Sequence, residues 1–266
     1  MAKIAFLDID GTMVNVRKGM LHPSKETIRV LQTFREQGNY IVVATAITSI
    51  PDSIRSIVFD GYICSDGHYV LFKDRVLINN IFTKEQLKKQ LSIYEEHNGS
   101  CSLGGFHGSW VSSHTNPHLK RHHAIYEGTH DLTGTPLIQE HIDDAQVNSI
   151  AAVFGRASDL FAAKEKLPND WAITVYSDDI DIRMDVHLAG FSKGTACEFL
   201  YQHLNIDKAD TYAFGDGAND IEMLQLVGHG IAMGNAANDI KELAYDITDT
   251  VENEGIAKAF KKYLNI

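Results

Sequence analysis

The sequence predicts an α/β fold, a parallel sheet covered on both faces and interrupted by an α+β insertion. Short, wholly apolar runs alternate with amphipathic helical patterns over roughly the first 60 residues. The same rhythm returns over roughly the last 80. Between them, from about Phe82 to His187, it gives way to mixed helical and alternating stretches. A strand buried on both faces loses the polar alternation of a half-exposed strand, so the apolar runs imply a parallel sheet.

Each element follows from local chemistry. Ile4 to Leu7 is an apolar run ended by Asp8-Ile-Asp-Gly-Thr. Pro23-Ser24 opens a helix that places Ile28, Leu31 and Phe34 on one face, and Gly38 closes it. Tyr40 to Ala44 is a second strand, ended by Thr45, and Gly61 to Cys64 a third, ended by Ser65-Asp66-Gly67. In the insertion, Lys84 to Glu96 and Ser158 to Lys166 read as helices. Ser149 to Phe154, Ile173 to Tyr176 and Ile180 to Met184 read as extended or alternating runs. Beyond it, Ser192 caps a helix with Ala196, Phe199, Leu200 and Leu204 inward. Thr211 to Phe214 is a strand, Asn219 to Val227 a helix, His229 to Met233 a strand and Ala237 to Leu243 a helix. A short strand near Ile247 and a helix from Ile256 to Leu264 complete the chain. The division predicted is a core of 1–81 and 188–266 around an insertion of 82–187.

The formal net charge is -11, which argues against a nucleic-acid backbone binder with clustered Lys and Arg. Three widely spaced cysteines, Cys64, Cys101 and Cys197, suggest neither a disulfide framework nor a metal site and fit a reducing compartment. The apolar run at the N-terminus is broken by Asp8 and Asp10, so neither a signal peptide nor a membrane span is expected. A cytoplasmic location follows as the expectation. The pattern carries no signal of oligomeric state.

Asp8 and Asp10 stand two apart at a strand end, where extended backbone points both side chains the same way. Two carboxylates about 4 Å apart repel by roughly 4 kcal/mol at a surface-like dielectric, and a divalent cation removes that cost. Asp-x-Asp-Gly is also ordinary turn chemistry. A second acidic loop, Gly215-Asp216-Gly-Ala-Asn-Asp220, follows another strand and leads into a helix. A first-turn acid is favoured in any helix, which accounts for Asp220 but not for Asp216. Two acidic loops at the carboxyl ends of parallel strands meet at the edge where open α/β sheets bind ligands. Such hard oxygen donors suit Mg²⁺. Thr45 offers a hydroxyl at the end of the second strand, and Lys193 a cation at the start of a helix.

In order along the chain, Asp8-Ile-Asp10-Gly-Thr-Met-Val, Thr45, Lys193 and Gly215-Asp216-Gly-Ala-Asn-Asp220 resemble the four motifs of the haloacid dehalogenase (HAD) superfamily. The resemblance extends to its Cof-type (type IIB) subfamily through Ile63-Cys-Ser-Asp-Gly67, Gly190-Phe-Ser-Lys-Gly194, Gly230-Ile-Ala-Met-Gly-Asn-Ala236 and Asn253-Glu-Gly-Ile256. It spans both ends of the core, whereas the insertion resembles the subfamily in length and position only. The fold implied is a Rossmannoid three-layer α/β core with an α+β cap that chooses the substrate.

The resemblance also implies a Mg²⁺-dependent phosphatase acting on a small phosphorylated metabolite. Asp8 would be the nucleophile and Asp10 the acid/base. Mg²⁺ would be held by Asp8, the Asp10 carbonyl and Asp216, with Asp220 nearby. Lys193, Thr45, Asn219 and the N–H groups around Ile9 and Ala46 would cradle the phosphoryl group. A phosphotransferase or mutase, or a phosphometabolite sensor, is the alternative, although a sensor has no need of Asp10. The sequence departs from the subfamily at Thr45-Ala46-Ile47, where Thr-Gly-Arg is usual, and at Asp66, where Asn is common. Both changes favour a less anionic or unusual substrate.

Seven histidines, His107, His114, His118, His122, His123, His130 and His141, crowd the insertion. His114, His118 and His122 have helical spacing, which raises a zinc reading. Pro117 lies among them and argues against a regular helix, so solvated or substrate-facing histidines are expected instead. Gly104-Gly105-Phe106 and Trp110 read as a loop and its anchor rather than a pocket.

Overall fold

The computed structural model describes residues 2–126, 129–177 and 182–266. Residues up to 78 join 191–266 in one compact unit, and 79–190 form a second. Along the chain, β1 (Ile4–Leu7) leads through α1 (Lys25–Glu36) to β2 (Tyr40–Ala44), β3 (Gly61–Cys64), β4 (Tyr69–Phe72) and β5 (Arg75–Asn79). Next come α2 (Lys84–Glu96), β6 (Ser100–Gly105), β7 (Gly108–Val111), α3 (Pro117–Tyr126) and α4 (Ile138–His141). The second unit ends with β8 (Ser149–Val153), α5 (Ala157–Lys164), β9 (Ala172–Ser177) and β10 (Ile182–His187). The chain returns with α6 (Lys193–His203), β11 (Thr211–Gly215), α7 (Ile221–Leu226), β12 (His229–Ala232), α8 (Asn238–Leu243), β13 (Asp246–Ile247) and α9 (Gly255–Leu264). Among the described residues no helix is long and apolar enough to cross a membrane.

The first unit holds an eight-stranded sheet in the order β13-β12-β11-β1-β2-β3-β4-β5. From β13 to β3 the pairs are parallel. Its apolar strands are explained by the two layers that cover it. Ala5 and Leu7 of β1, with Ile41, Val43, Tyr212, Phe214 and Ile231, pack against α1 and α9. Ile4 and Phe6, with Val42, Ala44, Ile63, Ala213 and Ala232, pack against α6, α7 and α8. The chain order therefore reverses around β1, with β2 on one side and β11 on the other. That reversal opens a crevice at the carboxyl ends of the strands.

Helices α1 and α6 begin where side chains satisfy their free N–H groups. The Ser24 hydroxyl accepts from the Thr27 N–H at 3.0 Å. Ser192 and Thr195 form a reciprocal box, with bonds of 3.0 Å and 2.8 Å. On α6 the buried hydrophobic side chains are Ala196, Cys197, Leu200 and Tyr201, whereas Phe199, expected to point inward, is 37% exposed. Phe199 stacks on His203 one turn along instead.

The second unit is a five-stranded antiparallel sheet in the order β7-β6-β8-β10-β9. Leu87, Ile93 and Tyr94 of α2 and Leu160 and Ala163 of α5 pack with Cys101, Leu103, Ile150, Ala152, Met184 and Val186 of the sheet. Leu119 of α3 packs with Val111 and Val153.

Three further features depart from the sequence expectation. The sheet is not wholly parallel, because β4 runs antiparallel to β3 and β5 follows it. The charged Lys73-Asp74-Arg75 conceals these strands in the sequence, and Lys73 turns the chain at a φ of 52°. Gly104-Gly105 and Trp110 lie on paired strands, β6 and β7, rather than in a loop. Pro117 opens α3 instead of breaking it, since a first-turn N–H needs no partner. Of the predicted run from Ile180 to Met184, Ile180 and Asp181 lie outside the described residues.

Phe260 of α9 meets Phe34 edge-on at 5.3 Å and stacks on Phe214 at 5.5 Å, with no exposure. It joins α9 to the strand that leads into Asp216. Phe260→Ala is expected to cost about 3–5 kcal/mol. The change will appear as a lower denaturant midpoint with an unchanged slope; a midpoint equal to wild type would contradict this packing.

Candidate active site

The five loops that matter follow β1, β2, β3, β11 and β12, all at the carboxyl edge of the sheet. Asp8 extends the β1 ladder, its N–H donating to the Phe214 carbonyl at 3.0 Å. The chain then turns sharply. The Ile9 carbonyl accepts from the N–H groups of Met13 at 2.9 Å and Val14 at 3.0 Å, and Gly11 takes a φ of 80°. A Cβ at Gly11 would lie 2.0 Å from Asp216 Oδ2, so both the turn and the neighbouring carboxylate require glycine here. Asp8 and Ile9 are buried, whereas Asp10 is exposed.

Asp220 is a staple. Its Oδ2 accepts from the N–H groups of Asp216 and Gly217, both at 2.9 Å. Its Oδ1 accepts from Lys193 Nζ at 2.6 Å. Lys193 is the first residue of α6, is 1% exposed, and also donates to Asp8 Oδ1 at 2.8 Å. Asp216 is half-buried; its Oδ2 accepts from the Asn235 amide at 3.0 Å. One oxygen from each of Asp8, Asp216 and Asp220 lies within 4.8 Å of the others.

The crowding shows in the proton affinities. Burial, reinforced by the Asp220 charge, pushes the Asp8 carboxyl up to about 8. Burial and the same neighbour raise Asp216 to about 6. Burial works to strip the proton from Lys193, but the charges of Asp8, Asp220 and Asp66 outweigh it and hold the ammonium well above its ordinary range. When all are ionised, three carboxylates face one ammonium. A divalent cation would balance the excess, and hard oxygen donors suit Mg²⁺. The cluster of Asp8, Asp216 and Asp220 could therefore hold a magnesium ion, while Asp220 is already engaged with Lys193 and with the Asp216 and Gly217 N–H groups.

Thr45 and Asn219 belong to an adjoining set joined through Asp66. The Asp66 N–H donates to the Thr45 carbonyl at 3.1 Å, and Asp66 Oδ1 accepts from the Asn219 amide at 3.1 Å. Thr45 is buried, its hydroxyl accepting from the Ile47 N–H at 3.3 Å, while Ala46 and Ile47 are exposed. The sequence reading assigned no role to Asn235. Its signal was available, since it is an amide in the loop after β12, at the same edge of the sheet. Among the described residues the acidic trio is the cluster able to hold a metal, and the histidines make none. His114 precedes α3 and bonds the Thr135 carbonyl at 2.7 Å, and His123 pairs with Ser102 at 2.5 Å.

The sequence profile of a family described as haloacid dehalogenase-like hydrolase matches residues 5–260. YkrA of Bacillus subtilis, provisionally named a phosphatase, is 24% identical over 277 residues, covering 98% of this chain and 97% of its own. Among solved structures, BT1666 of Bacteroides thetaiotaomicron, described with the HAD phosphatases, superposes with a TM-score of 0.84 at 26% identity, covering 100% of this chain and 96% of its own. BT4131, described as a HAD subclass IIB sugar phosphatase, gives 0.78 at 25% identity and covers both chains fully.

An Asp8 carboxyl near 8 stays protonated in the folded, metal-free protein at pH values where the unfolded chain, near 3.9, has lost the proton. The unfolded state then binds fewer protons, so this group lowers stability as pH rises from about 4 to about 8. Asp8→Asn has no proton to lose. In EDTA its melting temperature should exceed that of wild type by a margin that grows from about pH 6 to about pH 8, and Mg²⁺ should narrow the margin. A margin that shrinks with rising pH would contradict this account.

Proposed function

The chain belongs to the haloacid dehalogenase-like hydrolase family and is a phosphatase, and on that premise we propose that it hydrolyses small phosphomonoesters through a phosphorylated Asp8. One observation carries the proposal: a buried carboxylate, Asp8, is held at 2.8 Å by Lys193 within 4.8 Å of two further carboxylates, at the point where the strand order reverses.

The Asp8 carboxylate attacks phosphorus in line. An oxygen–phosphorus bond forms at Asp8 as the bond to the leaving oxygen breaks. Asp10 gives its proton to the departing alkoxide, then takes one from the water that attacks the aspartyl-phosphate, which restores Asp8 and releases phosphate. The exposure of Asp10 suits a group that must reach a leaving group outside the core. Lys193, the Thr45 hydroxyl, the Asn219 amide and the N–H groups of Ile9 and Ala46 receive the phosphoryl oxygens. Asp8, the Asp10 carbonyl and Asp216 would hold magnesium, which when bound would supply positive charge against the phosphoryl group.

A sugar phosphate or phosphorylated cofactor is the substrate class. The unit of 79–190, close to the 82–187 expected of the insertion, is taken as the cap that selects within this class. Ile47, 39% exposed, offers no cation at the site, which favours leaving groups without a further anion. The buried free thiols of Cys64, Cys101 and Cys197 accord with a cytoplasmic enzyme.

Phosphate release from a panel of phosphorylated metabolites, with Mg²⁺ and with or without an acceptor sugar, tests the proposal. Asp8→Asn should lower the rate by more than about 10³-fold. Asp10→Asn should lower it by about 10²–10⁴-fold. Full Mg²⁺-dependent release by Asp8→Asn would refute the mechanism, and phosphate appearing on the sugar instead of in solution would make the enzyme a transferase.

A further inference from the structure

We infer that Asn235 is a positioning residue that fixes the Asp216 carboxylate, and the turn after Asp8, in the register that receives the cation. It rests on the magnesium reading of Asp8 and Asp216 proposed above. Asn235 lies in the loop after β12 and acts through Asp216 and Gly11 rather than on substrate. Its Nδ2 donates to the Gly11 carbonyl at 2.8 Å and to Asp216 Oδ2 at 3.0 Å. Its Oδ1 accepts from the Val251 N–H at 3.2 Å. Two acceptors meet one end of the amide and a donor meets the other, so the partners themselves dictate which end is nitrogen. One planar group thereby joins the loops after β1, β11 and β12 to the segment before α9.

The loop that presents Asn235 is itself anchored. The Gly234 N–H donates to the Asp249 carbonyl at 3.0 Å, and Lys241 Nζ donates to the Gly234 carbonyl at 2.7 Å. A Cβ at Gly234 would lie 2.7 Å from the Thr250 nitrogen, so glycine is what allows the two segments to approach. The Asp249 carboxylate in turn accepts from the Thr250 N–H at 2.8 Å, from Asn253 at 3.1 Å and from Lys258 at 2.6 Å. Asp216 is only half-buried, and it borders a glycine that offers no side chain to confine it. The Asn235 amide supplies that confinement. In Asn235→Asp the shape is kept, but a carboxylate oxygen replaces the donor and faces both a carbonyl and the Asp216 carboxylate.

Mn²⁺ serves as the probe, its binding to the full-length protein followed by the spin-resonance signal of the free ion. Wild type, Asn235→Ala, Asn235→Asp and Asp216→Asn are compared, each well below its own melting temperature. Loss of an outer partner of a metal ligand weakens metal binding by about 10- to 100-fold, and that is the expected effect of Asn235→Ala. Asn235→Asp should weaken it at least as much, and as the isosteric variant it carries the test if Asn235→Ala folds poorly. Wild-type affinity in both Asn235 variants, with weakened binding in Asp216→Asn, would overturn the role given to Asn235 and leave the metal site standing. Wild-type affinity in Asp216→Asn would remove the metal site, and this inference with it.

Discussion

Lys193 places an ammonium with no exposed side-chain surface between the carboxylates of Asp8 and Asp220. Taking such ions out of water costs several kcal/mol each, and apolar residues of equal volume would often be as stable or more so. Stability is therefore a poor reason for this trio. Its geometry gives a better one. Lys193 ties the end of β1 to the start of α6, 185 residues away in sequence, and ties α6 to the loop after β11. Asp220 passes the constraint on to the N–H groups of Asp216 and Gly217. Loss of the Lys193 ammonium would leave the carboxylates of Asp8 and Asp220 facing one another inside the protein without a cation.

The surrounding sheet makes that arrangement tolerable. Strands buried on both faces hold the carboxyl edge in a fixed register, so the loops that follow them start from fixed points. The charges meet at the edge of the apolar layers rather than within them. Asp8 and Asp220 are buried, Asp216 is half-buried and Asp10 is exposed. That gradient from dry to wet suits chemistry in which a covalent bond forms at one carboxylate while another exchanges protons with a leaving group and with water.

Much of this was legible in the residues. The apolar runs from Ile4, Tyr40 and Thr211 locate β1, β2 and β11 because burial on both faces leaves an unbroken signature. Asp8, Asp216, Asp220 and Lys193 could be singled out because each stands where a strand ends or a helix begins. What stayed hidden depends on contacts across long stretches of chain. Lys73-Asp74-Arg75 masked the strands on either side, since three charged residues in a row break off the apolar run of Tyr69 to Phe72. Pro117 reads as a breaker until its place at the start of a helix is known. Asn235 reads as a loop residue, because its three partners lie 16, 19 and 224 positions away. In the antiparallel unit only α2, α5 and three of the strands could be read, while α3, α4, β6 and β7 stayed hidden.

Covalent capture of phosphate on Asp8 is the most direct test of this account. Acid-quenched enzyme, mixed with a phosphorus-labelled substrate and Mg²⁺ on the millisecond scale, should carry label in the peptide holding Asp8. That label should be lost to hydroxylamine, as an acyl phosphate is. Single-turnover release of phosphate with no label on the protein at any time, or label confined to another residue, would contradict it.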